Sequence, residues 1–209
     1  MLNQLQISDL AIIFGVILLS MSLHEAMHAF VSHWLGDTTA RDLGRLTLNP
    51  LKHIDIYTTV LLPMLLIALG IPPFFVAKPV PFNPDRVKFE EFGAALIGVA
   101  GPITNFLLAT VAALVVRLGS IPVGTDIYNI FSIFIIINLA FFVFNMIPFP
   151  PLDGSRLLYA FAPEPLQKIM FRIESAGFMT ILFFMLIFFS FLAAGVGSIV
   201  NSLYIFLMA

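Results

Sequence analysis

Residues 24–28 read His-Glu-Ala-Met-His. Side chains four apart on a helix share a face, so both imidazoles can reach one Zn²⁺ while Glu25 between them acts on the water that such a metal activates. The bland reading is a pair of helix histidines bonded to their neighbours. Against it, two His and a Glu inside an apolar span are costly and point to function. A catalytic zinc takes three protein ligands and keeps its fourth position for water. The chain has no cysteine, so the third ligand must come from His or a carboxylate. On a helix, His33 would lie about 140° around from His28 and about 180° from His24, facing elsewhere. His53 falls in a polar loop, where solvation is expected. Asp153 remains: it is flanked by apolar sequence, precedes Gly154 and follows Pro148, Pro150 and Pro151. Asp is also a preferred N-cap, so Asp153 could cap a helix starting at Gly154; capping and ligation are compatible.

These residues need elements to hold them. The 209 residues are 60% apolar and 11% charged, with a mean hydropathy of +1.03, far from the balance of soluble domains. This is the composition of a membrane protein. Residues 56–77, 92–116, 127–152 and 175–209 carry no Asp, Glu, Lys or Arg, and each is long enough to cross or nearly cross a bilayer. No basic residue precedes the first apolar run, so it is expected to be a retained span rather than a cleaved leader. A net charge of −2 argues against a nucleic-acid partner. The expected fold is one all-α domain over 1–209, a multi-span helical bundle with spans at about 10–35, 92–116, 127–152 and 175–205. Within 38–55, the alternation Arg45-Leu46-Thr47-Leu48 suggests a small surface β-hairpin.

The chemistry constrains the topology. His24 and His28 sit late in the first span and Asp153 at the end of the fourth apolar segment, so those two must run in the same direction. That requires 56–84 to be re-entrant, with Ile56–Ile71 entering and the Pro-rich return to Pro84 leaving on the same side. Lysine and arginine then divide nine to one: Arg41, Arg45, Lys52, Lys78, Arg86, Lys88, Arg156, Lys168 and Arg172 against Arg117. By the positive-inside rule, both termini are expected outside the cell membrane and the metal nearer its cytoplasmic face. A substrate helix would have to unwind to expose a carbonyl. The segments 45–49 and 76–83 are expected either to pair with the extended peptide or to plug the site. Asn105 and Asn145 are amides in apolar helices, suited to substrate backbone or an oxyanion, or to interhelical hydrogen bonding. For Asn138, packing is expected.

HEAMH, GPITN and NMIPFPPLDG together resemble the site-2 protease family of intramembrane zinc metalloproteases, and RLTLNPLKHID and AKPVPFNP resemble connecting segments of its compact prokaryotic members, without PDZ-like or CBS-like domains. The likeness covers about residues 10 to 165. It implies that His24, His28 and Asp153 hold Zn²⁺, that Glu25 is the catalytic acid/base, that Asn105 and Asn145 lie near the site, and that the substrates are transmembrane proteins. An intramembrane metal transporter or channel is the alternative; it would call for metal sites repeated along a path or inverted halves, and neither is visible.

Overall fold

A computed structural model describes residues 7–69, 75 and 77–209. In hydrocarbon only a helix or a closed barrel satisfies its own backbone, and the chain takes the helical solution. In order come α1 (Ile7–Trp34), the short α2 (Thr39–Asp42), a π-helical stretch Ile56–Leu61 continuing into α3 (Leu62–Ala68), then α4 (Glu90–Leu118), α5 (Asp126–Asn145), α6 (Gly154–Phe161), α7 (Glu164–Ser175) and α8 (Phe178–Met208). Among the described residues, four stretches are long and apolar enough to cross a membrane: Leu10–Trp34, Glu90–Leu118, Asp126–Asn145 and Ser190–Met208.

No strand occurs among the described residues, so the expected surface β-hairpin is not there. Residues 43–49 close on themselves instead: Gly44 N donates to Arg41 O, Thr47 N to Arg45 O and Asn49 N to Thr47 Oγ1. Alternation alone lacked a partner strand. The return segment cannot supply one, because Pro79 and Pro81 have no N–H to give a ladder. The fourth apolar segment also breaks earlier than expected, its helix ending at Asn145. Residues 146–153 form turns, as the prolines there dictate.

The bundle is organised around α4, which packs against α1, α5 and α6. His24 meets Asn105 while His28 meets Ile97, so α1 and α4 are antiparallel. Ser20 meets Asn138 and His24 meets Asp153, so α1 and α5 are parallel. Arg117 reaches the Leu207 carbonyl and Tyr128 meets Tyr204, which sets α8 antiparallel to α5. Between α4, α5 and α8 lies the core of Ala109, Ala112, Ala113, Ile135, Leu139, Val143, Val200 and Leu207, in which alanines let the backbones approach.

The excursion after residue 53 returns to where it left. Lys78 N donates to His53 O at 2.9 Å, and Arg45 Nη1 donates to Lys78 O at 3.4 Å. The tip of the expected re-entrant segment, residues 70–74, and residue 76 lie outside the described residues, as do the first six. Asp37, just past α1, is fully buried. It accepts from Ser32 Oγ, Thr39 Oγ1 and the backbone of Thr39 and Asn83 at 2.6–3.0 Å, tying the end of α1 to the return segment.

Candidate metal centre

The HEAMH face of α1 is turned inward: His24 and His28 are 6% and 8% exposed and Glu25 is half-buried. One ligand atom from each of the three lies within 4.8 Å of the others. Asp153 comes from the turn after α5, its Oδ2 3.0 Å from His24 Nε2 and 3.4 Å from His28 Nε2. Asp153 occupies the N-cap position of α6, yet its side chain makes no capping hydrogen bond. It is directed at the histidines. Both imidazoles are tied at the opposite nitrogen, His24 Nδ1 at 2.6 Å from Asn105 Oδ1 and His28 Nδ1 at 2.6 Å from Ile97 O. An oxygen that only accepts requires N–H at Nδ1, which leaves both Nε2 lone pairs facing the space beside Asp153.

Two glycines make this approach possible. A Cβ on Gly101 would stand 2.5 Å from Nε2 of both histidines, and one on Gly98 would stand 2.9 Å from Asp153 O and 2.7 Å from Arg156 Cβ. The first distance is well inside the contact limit of any carbon, so only a glycine lets α4 run this close to the two imidazoles. Above Gly101 the two Nε2 atoms, with the Asp153 carboxylate beside them, make up the donor set of a zinc site. The residues present fit the metal.

Glu25 Oε2 accepts from Val80 N at 3.0 Å. Because Val80 lies between Pro79 and Pro81, it supplies the single backbone N–H in that stretch, and Glu25 uses it. Glu25 also faces a chamber of about 600 Å³ bounded by α1, the return segment, α5, the 151–153 turn and α8. Its walls are chiefly apolar, including Met21, Phe141, Phe144, Met185 and Leu192, with Asn145 among the few polar groups.

The other residues singled out from sequence separate clearly. Asn145 lines the chamber and donates Nδ2 to Phe141 O within its own helix. Asn105 is fully buried behind His24 and is not part of the chamber wall, so it holds an imidazole rather than facing a substrate. His33 stands outside the cluster, as its helical phase requires. His53 is 1% exposed, with Nε2 on Thr47 O. It is a buried loop anchor, contrary to the expected solvated histidine. Asn138, expected to pack, donates Nδ2 to Ser20 Oγ and accepts from Asn105 Nδ2, both at 2.9 Å. Neither Gly101 nor the Val80 N–H was legible beforehand, since each acts through backbone position; the one prior signal was that Gly101 opens GPITN and Val80 sits between prolines.

Comparison with known proteins places these features in a lineage. The profile of Peptidase family M50 matches residues 121–189. YwhC of Bacillus subtilis is 35% identical over 175 residues, covering 79% of this chain and 76% of that protein. Rip2 of Mycolicibacterium smegmatis is 29% identical over 167 residues, covering 78% of this chain and 62% of its own length, and Rip2 of Mycobacterium tuberculosis is 30% identical over 168 residues, covering 75% and 62%. The names of all three include the words zinc metalloprotease. No solved structure matches the chain. Its extended similarity to YwhC and the profile match over residues 121–189 have one reading: the chain belongs to peptidase family M50.

Proposed function

We propose that the chain is an intramembrane zinc endopeptidase in which His24, His28 and Asp153 hold the metal and Glu25 handles the protons of peptide hydrolysis. The observation that carries this reading is the convergence of two imidazole Nε2 atoms, above Gly101, on Asp153 Oδ2, with each Nδ1 tied from behind. When bound, zinc supplies Lewis acidity, acidifying water and polarising a carbonyl. The remaining work falls to the chain. Glu25, half-buried at the chamber wall, accepts the proton of the attacking water and passes it to the leaving amine. The Val80 N–H holds Glu25 Oε2 in place. Asn145 offers its amide to substrate backbone along the same wall. The apolar walls exclude bulk water and favour an unwound apolar stretch, since a helical carbonyl is already hydrogen-bonded and shielded.

The substrates on this reading are transmembrane segments of other proteins. Chamber dimensions and the four apolar helices support it. The whole chain acts as one multi-pass domain in the cell membrane, with 56–84 re-entrant and the metal nearer the cytoplasmic face. The meeting of His53 with Lys78 and the parallel course of α1 and α5 support that topology.

The test is reconstitution in liposomes with a single-span substrate, comparing wild type with Glu25→Gln. We expect Glu25→Gln to retain zinc and lose cleavage by about 10²-fold or more. Cleavage that survives Glu25→Gln, or that continues after zinc is chelated, overturns the reading.

A further inference from the structure

Behind the metal-facing side of His24 lies a chain of side-chain amides that crosses three helices. His24 Nδ1 meets Asn105 Oδ1 at 2.6 Å, Asn105 Nδ2 donates to Asn138 Oδ1 at 2.9 Å, and Asn138 Nδ2 donates to both Ser20 Oγ and Phe134 O at 2.9 Å. Ser20, Asn105 and Asn138 are all fully buried. An amide end can be turned either way, so its orientation must be argued from its partners.

Here the partners decide it from the far end. The Phe134 carbonyl only accepts, so the NH₂ of Asn138 must face it, and Oδ1 of Asn138 must face Asn105. Asn105 then presents its own NH₂ to Asn138 at 2.9 Å and, at a longer 3.4 Å, to the Ser20 carbonyl, which leaves its Oδ1 toward His24. Only an N–H at Nδ1 of His24 satisfies that oxygen, and the Nε2 lone pair is left for the metal. An inverted Asn105 would turn its NH₂ toward His24, which calls for a bare Nδ1 and puts the proton on Nε2, and would bring two acceptor oxygens together at Asn138 among fully buried groups.

We infer that Asn138 is a positioning residue of the metal centre: through Asn105 it sets which nitrogen of His24 carries the proton and so which one is free to bind zinc. It touches neither metal nor substrate. Partners of this outer kind commonly change metal affinity about 10- to 100-fold when removed. The inference rests on the proposal that His24 is a ligand.

The test measures zinc affinity of the full-length protein in detergent by competition with a chromogenic chelator. Variants are Asn138→Leu and Asn138→Ala, which delete the amide, and Asn138→Asp, which keeps an acceptor oxygen toward Asn105 in either protonation state. Leu139→Ala serves as a control for lost packing, since Leu139 is fully buried next door in the α4–α5–α8 core, and His24→Ala tests the ligand itself. We expect the deletions to weaken zinc about tenfold or more, with Asn138→Asp and Leu139→Ala within about threefold of wild type. The downfield His24 Nδ1–H proton resonance of the zinc-loaded protein should persist in Asn138→Asp and exchange with solvent in the deletions. Wild-type affinity in the deletions, or equal loss in Asn138→Asp, overturns the inference while the metal site stands. Unchanged affinity in His24→Ala overturns the metal site itself. Should neither deletion fold, Asn138→Asp still decides: weak zinc in a folded Asn138→Asp is contrary, and wild-type affinity with the proton resonance in place is the expected result.

Discussion

Gly101 is where α4 passes beneath the two imidazoles, and the space it leaves is the most sensitive point of the centre. In Gly101→Ala a methyl carbon would sit 2.5 Å from both Nε2 atoms. The rings cannot retreat freely, because Asn105 and Ile97 hold their other nitrogens. Gly101→Ala is therefore expected to weaken zinc at least about tenfold with the helical content intact, as read by chelator competition and circular dichroism. Asp37 makes a separate residue-scale case. Burial pushes its pKa up, but donation from Thr39, Asn83 and Ser32 outweighs this and holds the carboxyl below its ordinary value. A depressed folded-state pKa contributes stability that is complete above the unfolded value of about 3.9 and lost as pH falls through the folded one. Asp37→Asn should cost about 1.5–3 kcal/mol near neutral pH, and its thermal-unfolding gap from wild type should close as the pH is lowered below about 4. These sites differ in legibility. HEAMH announces itself because its spacing is local, whereas Asp37 stands in a polar run and shows its importance only when Asn83, distant in sequence, closes over it.

At the scale of elements, the centre depends on how closely α1, α5 and α8 approach α4. A bilayer offers side chains an environment as apolar as a protein core, so burial alone does not drive these helices together; packing and hydrogen bonding do. Ala109, Ala112 and Ala113 permit that packing against Ile135, Leu139 and Val200. Ala109 is fully buried, and Ala109→Leu should cost about 1–3 kcal/mol through overpacking. Because Asn105 and Ala109 are one turn apart on α4, the shift should also reduce cleavage. A lowered melting temperature in detergent together with reduced proteolysis is the expected outcome, and an unchanged pair of measurements would refute the packing account. Helices were legible because each long apolar run has to satisfy its own backbone. The hairpin was not, because Arg45-Leu46-Thr47-Leu48 carries a strand-like alternation that local turns use instead. Arg156 joins further pieces: it pairs with Glu174 of α7 and stacks over Phe82 of the return segment at 5.2 Å.

For the whole molecule, parallel α1 and α5 require the chain between them to cross once in net. The His53–Lys78 hydrogen bond brings the two ends of the 54–77 excursion together, so that crossing falls to α4. Reporter fusions at residues 80 and 155 are expected on the cytoplasmic side and one at residue 122 on the opposite side. Residues 80 and 122 on the same side would refute the proposed topology. On the proposed topology the basic residues divide nine to one, with the larger share on the side proposed to be cytoplasmic.

The sequence by itself determined the ligand types available to the proposed centre and the helical class of the fold. HEAMH is a contiguous pattern whose geometry follows from 3.6 residues per turn, and a chain 60% apolar without cysteine restricts both the solvent and the ligand types. Tertiary structure alone decided the direction of Asp153, which sits at an N-cap position yet faces the histidines. It also decided the part played by Asn105 and Asn138, which a sequence presents only as isolated amides. The physical reason is that a hydrogen bond's value depends on which groups from other helices are buried with it, and residues 20, 105 and 138 become neighbours only when the bundle closes.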